Sequence, residues 1–180
     1  MKKLGQWILL TAVAGLLSAC SSTGARTQFM DDDGFTVKVA QKESSMRNPA
    51  IESVVWQAQY SNVLLVTKEG GAPANQHPQA ISEERLKRIL GGLSIRVGKG
   101  EPQALFLVDE LDVLVPPLSK ALALAKPEQD VVFYIPQKRG FALLQEEFMT
   151  TARVFYQNDK LHIIFGKIQG DFEGQLRAAK

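Results

Sequence analysis

The sequence predicts an α+β fold: a mixed or antiparallel sheet, two main helices packed on one face, and a C-terminal β-hairpin. Three observations carry that expectation. Strand-like segments cluster at both ends of the chain, around two helical ones. Each helical segment keeps a single apolar stripe. The segments 150–157 and 160–169 are joined by Asn158-Asp159, a pair that tolerates positive φ at both central turn positions.

Phe35 to Ala40 alternates apolar and polar residues and reads as a first strand. Ile51 to Tyr60 carries Val54, Val55 and Trp56 and reads as a second. Val63-Leu64-Leu65-Val66 is a continuous apolar run, the pattern of a strand buried on both faces. The second and third strands pair as a hairpin through Tyr60-Ser61-Asn62. Residues 69–80 hold Gly70-Gly71, Pro73, His77 and Pro78, and form a stiffened surface loop. Ser82 caps the first helix, with Glu83 and Glu84 at its positive end. Its stripe is Ile81, Leu86, Ile89, Leu90 and Leu93. Ser94 to Val97 forms a short strand.

Asp109 is expected to cap a second helix, with Leu111, Leu114, Val115, Leu118, Ala121, Leu122 and Ala125 on one face. Pro116-Pro117 interrupts it without breaking the phase, so a kinked helix or two abutting helices is expected. Asp130 to Ile135 is a strong strand, Gln137 to Gly140 a turn, and Phe141 to Leu144 continues the sheet. In the last hairpin Tyr156 should face Leu161, Val154 Ile163 and Ala152 Phe165. That face is core. The opposite face holds Arg153, Phe155, His162 and Ile164, and is only half apolar. It is therefore either partly covered or offered to a partner.

The N-terminus has a separate logic. Lys2 and Lys3 precede the apolar run from Trp7 to Leu17, and small residues follow. This is secretory-signal layout, with an apolar run too short to cross a bilayer comfortably. The ending Leu17-Ser18-Ala19-Cys20 resembles the lipobox of bacterial lipoproteins. The resemblance implies cleavage between Ala19 and Cys20, a diacylglycerol thioether on Cys20, and acylation, as by palmitate, of the new amino group. It covers the signal alone and says nothing about the domain behind it. Cys20 is the chain's one cysteine, so an intrachain disulfide is ruled out. Ser21, where an Asp would favour inner-membrane retention in Gram-negative lipoproteins, points to the outer membrane, facing the periplasm, if the source is Gram-negative.

The expected organisation is thus a cleaved signal over 1–19, a lipidated flexible tether over 20–34, one globular α+β domain over 35–170 and a polar tail over 171–180. Asp31-Asp32-Asp33 is read as solvated acid within the tether, since it lacks the spacing of a calcium loop. The full chain has 21 Lys and Arg against 19 Asp and Glu. Losing Lys2 and Lys3 with the signal equalises the two, which leaves no basic footprint for nucleic acid.

No catalytic or metal-ligating set emerges from the motifs. His77 and His162 stand far apart in the sequence, with no paired His or Cys spacing. No Gly-x-Ser-x-Gly elbow is present. Glu146-Glu147 and Asp109-Glu110-Asp112 could supply a carboxylate pair, but surface or helix-dipole roles account for them. No cofactor is expected beyond the lipid on Cys20. The function expected is a membrane-anchored envelope lipoprotein that binds a protein partner without catalysis, with Arg153, Phe155, His162 and Ile164 as the contact face. An enzyme acting on peptidoglycan and a carrier of hydrophobic ligands are the alternatives. A polar cleft would mark the first and a sizeable apolar cavity the second.

Overall fold

A computed structural model describes residues 27–31, 34–42, 49–96, 100–140 and 146–171. The lipobox, the expected strand at Phe141–Leu144 and the tail from residue 172 onward lie outside the described residues. The elements are β1 (Thr27–Met30), β2 (Thr36–Gln41), β3 (Ile51–Ala58), β4 (Ser61–Thr67), α1 (Glu83–Gly91), β5 (Ser94–Ile95), β6 (Gln103–Ala104), α2 (Val108–Leu124), β7 (Gln129–Arg139), β8 (Glu146–Gln157) and β9 (Lys160–Asp171). The class is α+β. A seven-stranded sheet runs β1-β2-β9-β8-β7-β4-β3, and β5 and β6 form a separate two-stranded ribbon. The large sheet is mixed because β2 lies parallel to β9 while every other neighbouring pair is antiparallel.

Pleat and register decide which side chains reach the core. Tyr156 pairs with Leu161, Val154 with Ile163 and Ala152 with Phe165, as the alternation requires. Asn158 and Asp159 take φ of 52° and 56°, the doubly positive turn that matches strand twist. Ala152, Val154, Leu161, Ile163 and Phe165 share one buried cluster with Val37, Val63, Leu65, Val131 and Phe133 and with α1 and α2. Val63 to Val66 is buried throughout, as expected of a strand covered on both sides. The β3–β4 turn falls one or two residues earlier than expected, at Gln59-Tyr60, where Gln59 takes φ of 47°. β3 is a sheet edge, and register irregularities beside Glu52 and Val55 interrupt its ladder with β4. Bulges of that kind blunt an edge against unwanted pairing.

The helices follow their sequence signals, with two differences. Ser82 Oγ accepts the Arg85 N–H at 3.3 Å, the N-cap bond expected of serine there. α1 then packs mainly on α2, and α2 makes the contact with β3, β4 and β7. α2 begins at Val108 rather than after Asp109. Its third residue, Glu110, reaches back to accept the Leu107 N–H at 2.9 Å, satisfying one otherwise orphaned donor. Pro116 and Pro117 sit inside one continuous helix. They remove the bonds to the Asp112 and Val113 carbonyls, whose residues are exposed, so solvent has access where the donors are lost. Two interior prolines cost about 3 kcal/mol each. Burial of Leu111, Leu114, Val115, Leu118 and Leu122, worth about 1.5–3 kcal/mol per side chain, outweighs that cost.

Two sequence expectations are corrected. The stretch read as tether is structured from Thr27 onward, because β1 pairs antiparallel with β2. Asp31 is not simply solvated. Its Oδ1 accepts the Phe35 N–H at 2.7 Å, and its Oδ2 lies 3.1 Å from Arg85 Nε. The Arg85 guanidinium in turn lies over the Phe35 ring, which stacks on Tyr156. This chain of contacts ties the β1–β2 hairpin to α1. The second correction is at Gln137 to Arg139, expected as a turn but part of β7. Gln137 is fully buried. It donates to the Leu105 carbonyl and to Glu110, and accepts from Thr150. Arg139 grips both oxygens of Glu110. Glu110 is therefore a buried tie between α2 and the sheet, rather than a surface acid.

Candidate functional site: the open sheet face

The face of the sheet turned away from the helices divides into two halves. On β4 and β7, Leu64, Val66 and Val132 are buried in a second small cluster with Tyr134 against it. On β8, β9 and β2, the residues Phe155, His162, Ile164 and Lys38 remain half-buried. Cross-strand register brings them together. Phe155 is opposite His162, Arg153 opposite Ile164, and Lys38 opposite His162 across the parallel ladder.

Phe155 and His162 stack with ring centroids 4.8 Å apart and planes 8° from parallel. His162 Nε2 lies 3.1 Å from the Gln157 carbonyl. A carbonyl can only accept, so Nε2 carries a proton and Nδ1 is left as an acceptor in the neutral ring. Burial lowers the pKa of His162; the Gln157 carbonyl opposes that shift, and the charges of Lys38 and Lys160 reinforce it. The ring lies flat against Phe155, in surroundings that disfavour its charged form.

Arg153 stands apart from the other three. It is 4% exposed, with its guanidinium 2.6 Å from Asp130 Oδ2. Asp130 Oδ1 accepts the Asn75 amide at 2.6 Å, and Asn75 also donates to the Gln129 carbonyl. Arg153 therefore shares the open face without being presented on it. Its role there is to fix Asp130 and, through Asn75, the loop between β4 and α1. That loop is laced to the hairpin end as well. The Gln76 N–H donates to the Tyr156 carbonyl at 2.7 Å, its side chain exchanges two bonds with Asp159, and Gln157 donates to the Pro73 carbonyl. Two expectations of the loop as plain surface are corrected here: Asn75 and His77 are buried. Among the described residues neither His77 ring nitrogen has a hydrogen-bond partner, and burial pushes the His77 pKa down.

Between this loop and the sheet lies a cavity of about 80 Å³, lined by Lys68, Asn75, Asp130, Arg153, Phe155 and Ile164 among others. That is room for a few waters or one small side chain, well below the several hundred Å³ of a typical ligand pocket. A larger groove of about 300 Å³ runs between α1 and α2, lined by Leu111, Val115 and Pro116 and by the charged Glu83, Glu84, Lys87 and Asp112.

The carboxylates singled out as a possible pair do not meet. Glu146 and Glu147 lie at the start of β8, opposite Arg139 and Lys138, and Glu147 pairs with Lys138 at 3.3 Å. Glu110 is occupied as described, and Asp112 pairs with Lys87. Among the described residues no group of three or more His, Cys, Asp or Glu could hold a metal ion, and no helix is long and apolar enough to cross a membrane.

No protein-family model, curated protein or solved structure matches the chain. What defines the site is its own geometry: a half-buried aromatic pair on a sheet face, flanked by lysines and backed by a buried ion pair.

The sequence signals reached this site unequally. The alternation of β8 and β9 placed Phe155, His162 and Ile164 on a common face. Lys38, Asp130 and Asn75 escaped notice. Lys38 joins the face only through the parallel pairing of β2 with β9, for which a sequence carries no local turn signal. Asp130 had one usable signal, an acid in a strand otherwise made of apolar residues.

Proposed function

We propose that this chain is a lipid-anchored component of a bacterial cell envelope that binds another envelope protein without catalysis. The observation that carries the anchor is the Leu17-Ser18-Ala19-Cys20 motif behind a basic and then apolar leader. The placement proposed is the outer membrane, facing the periplasm, with the lipid on Cys20 as the only covalent group. β1 begins at Thr27, so the segment from Cys20 can reach at most about 25 Å. An anchored domain would stay beside its membrane, with the β1–β2 edge nearest the lipid.

The contact surface proposed is the half of the open face formed by Phe155, His162 and Ile164. Partly exposed aromatic and apolar side chains on a rigid sheet suit a protein contact, because little side-chain entropy is lost on docking. Arg153 supports this face from within. The test is metabolic labelling with a clickable fatty acid, combined with Ile164→Glu. Label on the wild type and none on Cys20→Ala, with reduced association of a still-folded Ile164→Glu protein, is the expected pattern. Equal labelling of Cys20→Ala would refute the anchor, and undiminished association of Ile164→Glu would refute the contact face.

A further inference from the structure

Cations gather where the open face is aromatic. Lys38 stands directly across from His162. Lys160 lies two residues before it on β9, which puts it on the same side of the strand. Among the described residues, the partner Lys160 reaches is neutral, Gln28 Oε1 at 3.3 Å. The acids around this part of the fold are engaged elsewhere. Asp130 is buried against Arg153, Glu69 pairs with Lys42 at 3.2 Å, and Asp159 bonds Gln76 in the turn. Among the described residues, Lys38 and Lys160 are therefore not neutralised by a direct ion pair, and they sit beside apolar surface from Phe155 and Ile164.

The spacing narrows the kind of partner. Along β9 the face reads Lys160, His162, Ile164, and along β2 Lys38, Ala40. Cationic and apolar side chains thus adjoin one another at a strand repeat of about 6.6 Å for two residues. Resting on the partner-binding reading above, we infer that the partner presents an extended acidic segment. Its carboxylates meet Lys38 and Lys160, and an apolar side chain beside them settles on Phe155 and Ile164, which lie on the far side of His162 from Lys38 and Lys160.

The full-length protein in phosphatidylcholine nanodiscs tests this. The probes are a short synthetic peptide alternating Glu and Leu, its Gln-Leu counterpart, and nanodiscs of phosphatidylglycerol without peptide. Binding is followed by peptide fluorescence anisotropy and by the His162 ring signals in NMR. The Glu-Leu peptide is expected to bind at least tenfold tighter than Gln-Leu. Its affinity should fall with added salt. Lys38→Gln with Lys160→Gln should weaken it about tenfold, or about 1.4 kcal/mol, while Lys120→Gln on α2 leaves it unchanged. Equal binding of the two peptides at the His162 face would overturn the acidic partner but leave the contact face standing. Equal weakening by Lys120→Gln would also overturn it. No peptide binding, with His162 shifts in phosphatidylglycerol nanodiscs instead, would replace the inference with a lipid surface and remove the partner-binding reading too.

Discussion

Asp130→Ala probes the element that makes the open face rigid. Both side chains of the Arg153–Asp130 pair are 5% exposed and 2.6 Å apart. Removing the carboxylate takes a charged partner from a buried guanidinium, and breaking a buried pair costs about 3–5 kcal/mol. Asn75 loses its bond to Asp130 but keeps the one to the Gln129 carbonyl, which adds a smaller loss. Against a typical total of about 5–15 kcal/mol, the variant should lose a third or more of its stability. Urea unfolding followed by far-UV circular dichroism would read this as a lower midpoint at unchanged slope. The control is Asp130→Leu combined with Arg153→Met. Replacing both charges by apolar groups of similar volume is often neutral or stabilising, so this double variant should recover most of the loss. A single-variant loss below about 1 kcal/mol, the range of exposed ion pairs, would refute the assignment of a buried pair. A double variant as unstable as the single one would show that packing, rather than charge, sets the cost.

Other outcomes follow from the same structure. Ser82→Ala removes the α1 cap and should cost about 1 kcal/mol in the same unfolding assay. His77 and His162 both have pKa values lowered by burial, from a usual 6.5. Stability should therefore be full above pH 6.5 and fall at lower pH, where the unfolded chain takes up protons that the folded chain resists. His77→Gln should flatten that fall, and an unchanged pH profile would contradict the burial of its imidazole. Ile164→Glu should leave the circular dichroism spectrum unchanged while weakening association with envelope proteins. Unfolding by Ile164→Glu would mean that this half of the face is core. Cys20→Ala should accumulate as an uncut precursor of larger mass on a denaturing gel.

Legibility in the sequence tracked the range of the interaction. The β8–β9 register could be read because Asn158-Asp159 fixes the turn and alternation fixes the face. The α1 start could be read because Ser82 and the acids after it act within one turn. β4 could be read because four consecutive apolar residues leave no solvent face. Long-range pairing was silent. Nothing near Thr36 to Gln41 announces a parallel neighbour at the other end of the chain. Thr27–Met30 is too short and polar to stand out from a tether, and its order comes from β2 and from the Asp31–Arg85 contact. Gln137 to Arg139 resembles a turn by composition, yet Glu110, Leu105 and Thr150 satisfy its polar groups, so a polar stretch stays inside a strand. At the site, the shared face of Phe155, His162 and Ile164 was legible. The withdrawal of Arg153 into an ion pair was not, because its partner Asp130 lies on another strand.

The most direct test of the account is site-specific photocrosslinking in the native envelope. A photoreactive residue placed at position 162 or 164 should capture a defined envelope protein, in the membrane fraction, from living cells. The same residue at 113 or 120 on the outer side of α2 should not. Capture at 113 and 120 with none at 162 and 164, or recovery of the protein in the soluble fraction, would contradict it.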